Sequence, residues 1–152
     1  MSTLTLGKAE ILTQTETEER FQQDGLKLTN EAGLFRKNPP WHLCDEVVRN
    51  LIADGRNRYC ILEVPGYTYI QAWREAKGFC LEWRITNSSD GSYTHCRAGY
   101  FGKHSESAEL ATKTDYEDRD VISLEDTLDA FYSFYGNCNN MPGWLEWVKL
   151  DI

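Results

Sequence analysis

The sequence predicts an α+β domain, with an antiparallel sheet of about five or six strands and helices packed mainly on one face. Three observations carry that expectation. Between Arg58 and Tyr100 four short stretches, rich in aromatic and β-branched residues, alternate apolar with polar positions and are separated by turn sequences. Two segments of helical period flank that meander, one after Asn38-Pro39-Pro40 and one after Ser123. A last strand-like stretch around Trp144 to Leu150 follows the second helix.

In chain order, Thr3-Leu4-Thr5-Leu6 and Ala9 to Thr13 carry enough alternation for one edge strand or a short hairpin. The polar run Thr15 to Arg20 ends it, as a solvated loop or the start of a helical turn. Leu26-Lys27-Leu28-Thr29 offers a weak strand, and Asn30-Glu31-Ala32-Gly33 a turn after it. Asn38-Pro39-Pro40-Trp41 is a sharp boundary, because proline biases its predecessor away from the α region and suits a helix start. The helix expected next spans Trp41 to Ala53. Cys44, Val47, Val48, Leu51 and Ile52 form its apolar stripe, and Asp54-Gly55 supplies the stop.

The meander follows: Tyr59 to Val64, Tyr67 to Trp73, Phe79 to Thr86 and Ser92 to Tyr100. In its third strand Phe79, Leu81, Trp83 and Ile85 share the face expected to meet the helices, while Cys80, Glu82 and Arg84 share the other. Gln71 and Tyr69 of the preceding strand join Glu82 and Arg84 if the register allows. That face reads either as a polar recognition surface or as a solvated face with one cross-strand ion pair. The second helix opens at Ser123, whose hydroxyl can cap it, with Glu125 and Asp126 in the first turn and Leu124, Leu128, Phe131, Phe134 and Tyr135 as its buried stripe. In the final strand Trp144 and Trp147 are three residues apart, which calls for a bulge or an outward tryptophan.

Composition bounds the chemistry. With 152 residues, 41% of them hydrophobic, one domain spanning residues 1–152 can bury a core without disulfide or metal staples; residues 39–150 read as that core and residues 1–38 as an N-terminal segment. The apolar runs are too short to span a bilayer, and no apolar segment follows Met1-Ser2-Thr3, so a cytoplasmic protein with no membrane partner is expected. Five cysteines, an odd number with no Cys-x-x-Cys spacing, read as free thiols in a reducing compartment. A net charge of −8 without clustered lysine or arginine speaks against nucleic-acid binding.

The acids are unevenly placed. Phe101 to Ile122 reads as a long connection of weak periodicity, and from Lys103 to Asp126, into the first turn of the second helix, eight acids face three bases, a net −5. Long connections are usually functional or disordered. The acid spacing does not match a calcium loop, and no metal or cofactor is expected. Nor does any nucleophile turn, phosphate-binding loop or zinc-binding His-Glu-x-x-His sequence occur, so no catalytic residue is assigned. A Cys80–His95 pair on adjacent strands is conceivable, but packing accounts for both residues.

The order of a helix, Tyr69-Ile70-Gln71-Ala72, Leu81-Glu82-Trp83-Arg84, a fourth strand, the helix from Leu124 to Gly136 and then Trp144-Leu145-Glu146-Trp147 resembles small immunity proteins of bacterial polymorphic or contact-dependent toxin systems, over about Pro39 to Leu150. The resemblance implies a cytoplasmic, non-enzymatic protein that neutralises a cognate toxin by blocking its active site or access to its substrate; a monomer or weak homodimer is expected. It transfers no catalytic residue. Charge adds a candidate contact, since a nuclease-type toxin has a basic cleft that acids can fill in place of phosphate. On that basis Asp115, Tyr116, Glu117, Asp118 and Asp120, with Glu106 and Glu109, are the expected partner-binding residues. The alternatives are a non-enzymatic adaptor or phage-type inhibitor, and a small-ligand binding protein or enzyme with a pocket lined by Tyr69, Trp73, Trp83 and Tyr93.

Overall fold

The computed structural model describes residues 23–87, 89–101 and 120–150. Seven antiparallel strands form a single sheet in the order β2-β1-β3-β4-β5-β6-β7. These are β1 (Lys27–Asn30), β2 (Phe35–Lys37), β3 (Tyr59–Val64), β4 (Thr68–Glu75), β5 (Gly78–Thr86), β6 (Tyr93–Tyr100) and β7 (Leu145–Lys149). Helices α1 (Trp41–Arg49) and α2 (Leu124–Gly136) pack against each other and against one face of the sheet. The α+β class stands, and the sheet is wider than the expected five or six strands. The additional strand is β2, where Phe35-Arg36-Lys37 pairs with β1 across the Asn30 turn. Three residues with two charges offer too little alternation to be recognised alone.

β1 and β2 belong to the first 38 residues, which the sequence sets apart from the core. Leu26 and Leu28 are nevertheless fully buried in it. The expected strand or hairpin within residues 3–13 lies outside the described residues.

Helix α1 stops four residues short of Ala53. The Asn50 amide still bonds Glu46, but Leu51 bonds back only to Val48 and the Ile52 amide turns to the Asn57 carbonyl. The Asn57 side chain also donates to the Asn50 carbonyl, at 3.3 Å. Cys44, Val47, Val48 and Leu51 keep their places in the core, whereas Ile52 is 48% exposed. Gly55, at φ +107°, takes the left-handed conformation in the loop rather than at the helix end.

Helix α2 begins as its sequence dictates. Ser123 Oγ accepts from the Asp126 amide at 3.1 Å, and Asp126 in turn accepts from Tyr100 of β6 and from the Trp144 indole. Phe131 and Phe134 are fully buried, and Trp41 meets Tyr132 and Tyr135 edge-on to join the two helices. Trp144 precedes β7 and is exposed, so the strand needs no bulge: its register with β6 runs unbroken from Tyr100–Leu145 to Cys96–Lys149.

Of the four apolar positions on β5, Phe79 and Leu81 are buried, while Trp83 and Ile85 toward the strand's far end are half-buried. Trp83 packs on Trp147 and donates its indole N–H to the Cys138 carbonyl. Where β6 leaves β5, Ile122 takes its place, exchanging two backbone hydrogen bonds with Phe79. Gly78 permits that approach, because a Cβ there would lie 2.6 Å from the Ile122 carbonyl oxygen.

Candidate binding face of the sheet

Among the described residues no helix covers the second face of the sheet. Strand alternation sends every other side chain there, and the registers align them in rows across the strands. One row runs Lys37, Lys27, Glu63, Tyr69, Arg84, His95; the next runs Phe35, Thr29, Ile61, Gln71, Glu82, Arg97, Val148. Gln71 and Tyr69 thus do stand opposite Glu82 and Arg84.

Glu82 is the centre of this face. His95 Nε2 lies 2.8 Å from its Oε1, and Arg97 Nη2 donates to Oε2 at 2.9 Å. Burial pushes the Glu82 carboxyl up, but the His95 and Arg97 hydrogen bonds together with the Arg97 charge outweigh it and hold the group below the usual carboxylate range. His95 is 7% exposed and meets the edge of Tyr69. The face therefore carries a partly buried network, an Arg97–Glu82 ion pair joined by the His95 hydrogen bond, rather than one solvated pair. The sequence offers His95 only as a conceivable partner of Cys80 and does not single out Arg97, because the β5–β6 register is needed to place both beside Glu82. Their signal was the outward alternation Tyr93, His95, Arg97 beside Glu82 and Arg84.

Around the network stand arginines and aromatic rings. The Arg84 guanidinium sits 3.8 Å from the Tyr93 ring centroid, and no ion pair to it occurs among the described residues. Farther across, Tyr59 and Trp73 stack at 5.3 Å, and Arg58, paired with Glu31 at 2.9 Å, lies over Trp73. Such surroundings are typical of contact centres, since tyrosine, tryptophan and arginine combine apolar area with directional polar groups.

The residues expected to line a ligand pocket are divided by the sheet. Tyr69, Trp73 and Tyr93 lie on the open face and Trp83 on the helix side, so the four do not enclose one cavity. The conceivable Cys80–His95 pair is separated as well. His95 stands opposite Arg84, four residues along β5 from Cys80, or roughly 13 Å at the rise of a strand. All five cysteines are free. Burial pushes the Cys80 thiol up to about 11 and the Cys44 thiol up to about 12, leaving both protonated at neutral pH.

Of the partner-binding residues singled out, Glu106, Glu109, Asp115, Tyr116, Glu117 and Asp118 lie outside the described residues. Asp120 is described and is 5% exposed, close enough to Cys80 to raise its thiol further. Its carboxylate is set within the fold rather than on an open surface. Among the described residues no three His, Cys, Asp or Glu side chains gather into a metal site, and no helix is long and apolar enough to cross a membrane. No protein-family model, curated protein or solved structure matches the chain.

Proposed function

We propose that this chain is a non-enzymatic protein-binding domain that contacts its partner through the open sheet face, and that it serves as a cytoplasmic immunity protein for a cognate bacterial toxin. The observation that carries the binding role is the combination on one helix-free face of the Glu82–His95–Arg97 network with Arg84, Tyr93, Tyr59 and Trp73. A broad face with rigid rings and a fixed charge pattern suits a protein surface better than a small substrate. The division of the four pocket aromatics and the protonated thiols weigh against the ligand-binding and enzymatic alternatives. The toxin-specific part rests on the family resemblance and on the net charge of −8. The acidic segment through Asp118 is proposed as a second contact.

Co-expression with the toxin candidate encoded immediately upstream tests this reading. The wild type is expected to protect cells. Arg84→Ala combined with Trp73→Ala is expected to fold and lose protection. Asp115→Lys, Glu117→Lys and Asp118→Lys together, leaving the buried Asp120 intact, are expected to slow association, most visibly at low salt. Full protection by both folded variants, or none by the wild type, rejects the proposal.

A further inference from the structure

A second feature stands apart from that face's centre and does not depend on the binding role proposed for it. At the sheet's end, where β1 and β2 meet the β3–β4 hairpin, lies a cavity of about 340 Å³ whose walls include Lys27, Lys37, Asn38, Glu63, Pro65 and Tyr67. Three details distinguish it from an ordinary surface dent.

The first is charge. Lys27 and Lys37 stand directly opposite each other across β1 and β2, an arrangement of like charges that disfavours pairing. Glu63 on the other side of β1 lies 3.4 Å from Lys27 and offsets one of the two. No ion pair to Lys37 occurs among the described residues. The cavity thus holds two cations and one carboxylate, a net charge of one positive in a chain whose net charge is −8.

The second is backbone. Asn38 and Tyr67, at φ +50° and +68°, are the two non-glycine residues with positive φ among the described residues, and both line this cavity. Asparagine tolerates that region, but a tyrosine there is strained. Tyr67 is held by Thr86, whose hydroxyl donates to its carbonyl at 2.9 Å, and its ring is left 70% exposed at the rim. Strain of this kind persists where the surroundings over-determine it, and such residues cluster at ligand sites.

The third is closure. Gly25 packs so closely on Pro65 that a Cβ would lie 2.7 Å from the proline ring, which fixes the β1 entrance against the hairpin. That contact sets one wall of the cavity by backbone packing.

We infer that this cavity binds a single carboxylate, with the Lys37 ammonium as its counter-charge and the Asn38 side-chain carboxamide and Tyr67 phenol as neighbouring hydrogen-bond donors. A monovalent carboxylate balances the one excess positive charge. A phosphate dianion would overfill it and face the Glu63 carboxylate across the same space. The carboxylate can come from a small acid or from a glutamate of a partner chain, and the same chemistry serves both.

Amide chemical shifts of the isotope-labelled protein test the inference at constant ionic strength. Sodium benzoate and an end-blocked peptide with one glutamate are the probes; sodium chloride, phosphate and the glutamine version of the peptide are the controls. Saturable shifts at Lys37, Asn38, Gly66 and Tyr67 are expected with a carboxylate probe, and Lys37→Ala, an exposed position, is expected to weaken them about tenfold. Tighter binding of benzoate identifies a small acid as the source, and tighter binding of the peptide a partner's side chain. Shifts no different from those with chloride, equal binding of the glutamine peptide, tighter binding of phosphate, or undiminished affinity in folded Lys37→Ala each overturn it.

Discussion

Replacing Glu82 with alanine removes the acceptor that two basic side chains share. The glutamate side chain is 19% exposed, and its neighbours differ: His95 is 7% exposed and Arg97 27%. Arg97 reaches water once the carboxylate is gone, whereas the buried imidazole cannot, so most of the loss falls on the His95 bond. Hydrogen bonds to charged groups contribute about 1.5–3 kcal/mol each, and solvent access at Arg97 discounts its share. We expect Glu82→Ala to lose about 2–3 kcal/mol, and Glu82→Gln, which keeps shape and one acceptor, about half that. Urea denaturation at neutral pH measures both. The pH dependence follows from the lowered carboxyl. Between its folded and unfolded values the unfolded chain binds more protons, so stability rises with pH. The contribution is complete above the unfolded value and is lost as pH falls through the folded one. Glu82→Ala should flatten that acid limb. A loss below about 0.5 kcal/mol, with the acid limb unchanged, would reduce the network to an ordinary solvated pair and refute the reasoning.

Two further outcomes are expected. Leu81→Ala opens a void at a fully buried position opposite Ala72, a residue too small to fill it, and should cost about 2–5 kcal/mol; an unchanged denaturation midpoint would show that the helix-side face has been misassigned. Alkylation of the unfolded, unreduced protein should add five labels by intact mass, while Cys44 and Cys60, buried in the native fold, should resist labelling until it unfolds; three labels or fewer would reveal a disulfide.

The readable parts of the sequence were those where local signals agree. Tyr59–Val64 combines β-branched and aromatic residues with flanking turns and forms the strand expected, end to end. Ser123 with Glu125 and Asp126 fixed the start of α2 in the same way. Errors arose where a local pattern was overridden from a distance. Ile52 continues the helical period of α1, yet its amide is taken by Asn57. Trp144 resembles a strand residue, but its indole reaches the α2 cap. The candidate face shows the same division. Alternation placed Glu82 and Arg84 on it, and the pairing of β5 with β6 was required to find that His95 and Arg97 converge on one carboxylate. The excess lysine at the sheet's end was illegible for a related reason, since a three-residue strand had to be recognised before Lys37 could be set against Lys27.

The strand order carries a consequence for how the sheet assembles. From β3 to β6 each strand pairs with the next one along the chain, and the link from β3 to β4 is only residues 65–67. β7 is different: residues 101–144, with α2 among them, separate it from the β6 edge that it joins. Closing 44 residues rather than three costs about 2.4 kcal/mol more in chain entropy by logarithmic scaling. Asp126 recovers part of that by gripping Tyr100 at the end of β6 and Trp144 at the entrance to β7. The helix cap thereby doubles as the clasp that brings the sheet's last edge home.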